Sequence, residues 1–187
     1  PGGFTHFGVV LEGVLTVRTD TRTRVLQKDD FFSVNGATTI EGNGAGIISS
    51  AKDYRGFDLF GGPIEETGRL RYIDGCTDTL LVPPVRKGDP CLNHLHFPRG
   101  ILQTMHDHPS VRTGVVFRGK GECLTPDAPP IPLVPGSVFI IEPGAQHCFK
   151  TDDSELDVIA FHPDTDTGPT DDDHPMVNRT MVGGVSA

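Results

Sequence analysis

Hydrophobic residues come in short runs divided by turn formers along most of this chain, the pattern of β-strands. Residues 5–18, Thr-His-Phe-Gly-Val-Val-Leu-Glu-Gly-Val-Leu-Thr-Val-Arg, predict two strands joined at Gly13. Residues 25–26 and 31–34 are the next strand signals, closed by the turn dipeptide Asn35-Gly36. Residues 46–48 and 56–60 continue the pattern, and Gly61-Gly62-Pro63 breaks it. Beyond the break, residues 70–73 and 79–82 flank an Asp74-Gly75 turn, and Pro83 and Pro84 confine the second run to an edge or a strand end. Residues 91–97, 114–119 and 156–162 complete the set. Helical periodicity is not sustained in any segment, so the expected class is all-β.

The two halves of this pattern resemble each other. Phe7-Gly8-Val9-Val10-Leu11-Glu12-Gly13 matches Thr113-Gly114-Val115-Val116-Phe117-Arg118-Gly119 at an offset of 106, and Phe31-Phe32-Ser33-Val34-Asn35-Gly36 matches Phe139-Ile140-Ile141-Glu142-Pro143-Gly144 at an offset of 108. A longer loop at 126–132 in the second copy accounts for the difference. The expected division is a first module over 1–62 and a second over 63–187, the latter ending in an acidic tail.

The chemistry concentrates in Met105-His106-Asp107-His108-Pro109 and Pro143-Gly144-Ala145-Gln146-His147. Both are expected to be extended, and residues i and i+2 of a strand share a face. His106 and His108 then project side by side as two ligands for one metal, with His147 as the third. A second His-x-His, His94 and His96, lies on a strand whose alternation groups them with Leu92 and opposes them to Asn93, Leu95 and Phe97. Two placements are open for this pair, lining a barrel near the metal or standing half-exposed on the strand, and the expectation is that they are not ligands. Gln103 either reaches a bound ligand or is a polar residue at a strand start.

Glycines frame the histidines: Gly100 stands before His106, Gly119 ends the following strand, and Gly136 and Gly144 lead to His147. The stretch 100–151 resembles the cupin superfamily pattern of Gly-x5-His-x-His-x3/4-Glu-x6-Gly followed by Gly-x5-Pro-x-Gly-x2-His-x3-Asn. The resemblance implies a cupin double-stranded β-helix, or jelly-roll, barrel with a divalent metal between the two motifs. Given the repeat, it implies a two-module bicupin with a partial first module. The family's Glu position falls on Arg112, which cannot ligate a cation; the Pro is displaced to Pro143, and the final Asn position is Thr151. In the first copy the counterpart of His147 is Thr39, the Glu position is His6, and the His-x-His would precede Pro1, a start that reads as processed or truncated. The lone His6 is expected to be a satisfied structural residue.

Neutral imidazole suits Fe, Ni, Cu and Zn; the resemblance implies Fe(II) first, with Ni, Mn, Cu and Zn as alternatives. Losing the Glu leaves the centre more positive and favours an anionic substrate, which Arg112 can hold by a two-pronged contact if it points inward rather than to solvent. The resemblance therefore implies a non-haem Fe(II) dioxygenase acting on a small phenolic, enolizable dicarbonyl or carboxylate compound. The alternatives are a non-catalytic small-ligand binding or sensing cupin, and a cupin isomerase or lyase.

Composition narrows the field. The net charge is −9, and from Cys148 onward there are nine acidic and two basic residues, a poor surface for a nucleic-acid backbone. Asp171-Asp172-Asp173 is expected to be a solvated run, not a Ca²⁺ site. No run of apolar residues is long enough to cross a membrane as a helix. Cys76, Cys91, Cys123 and Cys148 are scattered and are expected to be free thiols of a cytoplasmic protein. Homo-dimers or higher homo-oligomers, formed by covering open strand edges, are expected.

Overall fold

A computed structural model describes residues 3–174, 176–177 and 180–186. Its strands are β1 (Phe4–Glu12), β2 (Val14–Arg18), β3 (Thr23–Gln27), β4 (Phe31–Asn35), β5 (Thr39–Gly42), β6 (Ala45–Lys52), β7 (Leu59–Gly61), β8 (Leu70–Arg71) and β9 (Thr77–Val82). They continue with β10 (Cys91–Phe97), β11 (Arg112–Gly119), β12 (Gly121–Thr125), β13 (Ala128–Leu133), β14 (Val138–Ile141), β15 (Cys148–Lys150) and β16 (Leu156–His162), and a short terminal hairpin of β17 (Met181–Val182) and β18 (Val185–Ser186). One 3₁₀ turn, Ile73–Gly75, is the only helical element among the described residues.

Every ladder is antiparallel. Besides the hairpin there are four sheets, ordered β3-β2-β5, β6-β1-β4-β7, β14-β11-β16-β10-β9-β8 and β13-β12-β15. Strand alternation distributes the core between them. Phe7 and Val9 of β1 pack with Leu92, Val115, Phe117 and Ile159 of the six-stranded sheet. Val10, on the other face of β1, packs with Val17, Leu26, Phe32 and Val34. Val116, Phe97 and Val158 pack with Leu133 and Phe149 of the last sheet.

The repeat is visible in the pairing. β1 lies between β4 and β6 as β11 lies between β14 and β16. Gly8 faces Phe32 where Gly114 faces Phe139. In both copies the missing side chain makes room for the ring, since a Cβ would lie 2.3 Å from Phe32 Cζ at Gly8 and 2.4 Å from Phe139 Cζ at Gly114. This register matches Phe32, not Phe31, to Phe139, one residue away from the sequence alignment; short apolar runs align equally well at neighbouring offsets, and only the paired strand distinguishes them.

Candidate metal centre

The three histidines converge. One ring nitrogen from each of His106, His108 and His147 lies within 4.8 Å of the other two, and the ring centroids are 4.6 to 5.1 Å apart. The route to this geometry differs from the expected strand. Residues 103–110 are irregular except for a single bridge between His106 and His147. His106 and His108 are therefore not neighbours on a pleated face; Pro109 and the turn at Ser110 interrupt pairing before β11 begins.

The hydrogen bonds prepare two of the rings. His106 Nδ1 is 2.8 Å from Thr104 O, and His147 Nδ1 is 2.9 Å from Ala145 O. A carbonyl only accepts, so Nδ1 carries the proton in each ring and Nε2 keeps its lone pair. Thr104 is itself held, its N–H donating to Asp74 Oδ2 at 2.6 Å. Burial pushes the His108 pKa down to about 4, with Arg112 and the other two imidazoles adding to the effect. Burial also lowers His147, more than the Ala145 carbonyl raises it. Neutral imidazoles with free lone pairs at neutral pH are what a divalent cation requires, and this donor set can hold one.

The histidines open on a cavity of about 40 Å³ between β10, β11, β14, β16 and β15. Its apolar wall includes Leu95, Phe97, Phe139, Phe149 and Val158. Gln103 lines it, but its Oε1 accepts the Phe149 N–H at 3.2 Å, so that atom is engaged within the wall. Sequence reasoning missed two lining residues, Tyr72 and His162. For His162 the signal was present: residues 158, 160 and 162 of β16 share a face, and the first two also line the cavity. Burial drives the His162 pKa down to about 3, with Arg112 and His108 reinforcing it.

No protein-family model matches the chain, and no curated protein matches it in sequence. Solved structures match its architecture. A cupin 2 conserved barrel domain protein from Leptotrichia buccalis superposes with a TM-score of 0.62 at 16% identity, over 84% of this chain and 72% of the other. A variant of salicylate 1,2-dioxygenase from Pseudoaminobacter salicylatoxidans gives 0.64 at 10% identity, over 87% of this chain and 66% of that one. The chain has the cupin fold. Protein YlbA from E. coli gives 0.60 at 15% identity, over 89% of this chain and 70% of the other.

Within this cupin barrel Arg112 lines the cavity, its side chain only 11% exposed. Nη1 donates to Val111 O at 3.2 Å, to Ser110 O at 3.3 Å, to Ser110 Oγ and to Asp164 Oδ1 at 3.3 Å. Ser110 Oγ donates in turn to Asp164 Oδ1 at 2.5 Å. The guanidinium is thus neither swung to solvent nor free to rotate.

His94 and His96 are on the face of β10 away from the cavity, and both are buried, not half-exposed. His94 Nε2 and His96 Nδ1 both meet Asp157 Oδ1, at 2.7 and 3.0 Å. A β-bulge between Val116 and Arg118 sets Arg118 opposite Asp157, and the two form an ion pair at 3.4 Å. Burial pushes the Asp157 carboxyl up, but His94, Arg118 and His96 outweigh it and hold it below the ordinary carboxylate range. In the first half, His6 is satisfied by Ser50 Oγ at 2.7 Å and Gly36 O at 3.1 Å.

Proposed function

We propose that the protein is a metal-dependent cupin enzyme, a non-haem Fe(II) dioxygenase acting on a small oxygenated substrate. The observation that carries this reading is the convergence of three imidazoles beside a largely apolar cavity. His106, His108 and His147 would hold the metal, and Fe(II) so bound supplies oxygen activation. The likeness in fold to salicylate 1,2-dioxygenase supports the choice among cupin activities.

The remaining residues prepare the site for that role. Thr104 O and Ala145 O fix the tautomers of two imidazoles. Leu95, Phe97 and Phe149 give the site an apolar wall. Arg112 supplies a positive charge in the wall that an anionic substrate neutralises.

The same reading takes residues 1–62 as a degenerate first cupin module and 63–187 as the metal-binding one. It also places the protein in the cytoplasm as a homo-oligomer, formed where β6 and β14 end their sheets with exposed Ile48, Val138 and Ile140.

Elemental analysis of purified protein, followed by oxygen-electrode measurements on iron-loaded protein with small carboxylates, 1,3-diketones and phenols, tests the function. Stoichiometric metal with substrate-dependent O₂ uptake is expected. Metal without uptake on any of the three classes would overturn the dioxygenase reading, and protein that binds no divalent metal would overturn the enzyme reading as a whole.

A further inference from the structure

The cavity holds a second recognition element besides the imidazoles. A guanidinium presents two edges, and here one is consumed: Nη1 is tied to Ser110, Val111 and Asp164. The other edge is not. Nε is buried and has no hydrogen-bond partner, and Nη2 makes no hydrogen bond among the described residues. A buried, unpartnered donor is costly, and on a charged group more so. The Nε–Nη2 edge has the two-pronged geometry that matches a carboxylate.

The surroundings favour an anion there. Among the described residues, Arg112 is the one Lys or Arg side chain lining the cavity, and no Asp or Glu lines it. The nearest acid to the guanidinium, Asp164, is already engaged with Nη1 and with Ser110. The size of the space sets a second limit. About 40 Å³ is room for roughly three waters, enough for a ligand of a few heavy atoms and too little for an aromatic ring.

We propose that Arg112 forms a carboxylate-binding subsite beside the three imidazoles, that Ser110 and Asp164 are the positioning residues that fix its guanidinium, and that the ligand is a short-chain aliphatic carboxylate. The proposal narrows the substrate class given above and rests on that reading for the chemistry. The binding itself needs only Arg112.

The test is calorimetric titration of the full chain, stripped of metal by chelator dialysis and again with Zn(II) added, using propionate, pyruvate, propionamide and benzoate as probes. In metal-free protein, propionate and pyruvate are expected to bind at least about tenfold more tightly than propionamide, the advantage of a charge-assisted pair, and benzoate is expected not to bind. Arg112→Gln is expected to abolish carboxylate binding, and Arg112→Lys, which keeps the charge and loses the fork, to weaken it several-fold. Asp164→Asn separates positioning from plain electrostatics. Removing an acid makes the site more positive, so charge alone predicts tighter binding, whereas loss of aim predicts weaker binding that Asp164→Glu restores.

Propionamide binding as well as propionate, an Arg112→Lys variant with unchanged affinity, tight benzoate binding, or a tighter Asp164→Asn variant would each overturn the subsite as described. If carboxylates bind through Arg112 while Zn(II) fails to bind, the subsite stands and the metal-enzyme reading falls. If Zn(II) binds and carboxylate affinity is independent of Arg112, the reverse holds.

Discussion

His106 and His147 face each other across one antiparallel bridge and exchange both main-chain hydrogen bonds, His106 N–H to His147 O at 3.0 Å and His147 N–H to His106 O at 2.9 Å. The approach of these two candidate ligands is therefore carried by backbone, and their imidazoles are not needed to bring the two segments together.

His147→Ala keeps that bridge and removes one ligand. Affinity for divalent metal is expected to fall by at least about 100-fold, more than is typical when a residue that only orients a ligand is changed, with the far-UV spectrum unchanged. Metal titration with parallel circular dichroism checks it. Wild-type stoichiometry in the variant would remove His147 from the metal site.

Asp157 collects His94, His96 and Arg118 on the far side of the sheet from the cavity. Asp157→Ala leaves buried His94 and His96 and partly exposed Arg118 without their shared carboxylate and is expected to cost about 3 kcal/mol of folding stability. Urea unfolding measures the loss. Zn(II) affinity, measured under conditions where the variant is folded, is expected to stay within about twofold because the network touches none of the three candidate ligands.

Acid is expected to destabilise the metal-free protein over a defined range. His108 and His162 titrate near 4 and 3 in the fold, against about 6.5 in an unfolded chain. Between those values the unfolded state binds more protons, so stability falls as pH drops from about 6.5 and levels off with respect to these two groups below about 3. Allowing for their partial solvent screening, the combined effect is on the order of 3 kcal/mol. Unfolding midpoints across this range should show the slope, and His162→Gln should flatten part of it.

Gly8→Ala and Gly114→Ala place a methyl group against the rings of Phe32 and Phe139. Each is expected to cost about 1–3 kcal/mol by overpacking. Gly144→Ala meets no atom within 4 Å, but its φ of +73° strains an L side chain, for a loss of about 1 kcal/mol. Thermal unfolding should place Gly8→Ala and Gly114→Ala below Gly144→Ala.

Much of the architecture was legible in the chain. The runs around Gly13 became β1 and β2, and residues 156–162 became β16 with the expected bounds. Each of these runs carries its own turn signals and its own alternation, so no distant contact was needed to recognise it. The histidine set was legible for a different reason: the glycine framing marks tight turns whose positions are independent of what the side chains face. His94 and His96 were harder. Alternation correctly grouped them with Leu92, but which side of the sheet met the cavity depended on the packing of Phe7 and Val9 against Leu92, a contact between distant parts of the chain.

What the amino-acid sequence determined by itself is the local part: where most strand signals lie and which residues of a regular strand share a face, although residues 126–132, expected as a loop, contribute most of β13 (Ala128–Leu133). Sterics and strand period act over a few residues, so they can be read there. What only the tertiary structure decided is the aim of Arg112. Its guanidinium is fixed by Asp164, 52 residues away and past the end of β16, and no periodicity links the two positions. Whether a charged side chain lines a cavity or reaches solvent depends on which distant acceptor arrives beside it, and that is known only once the chain has folded.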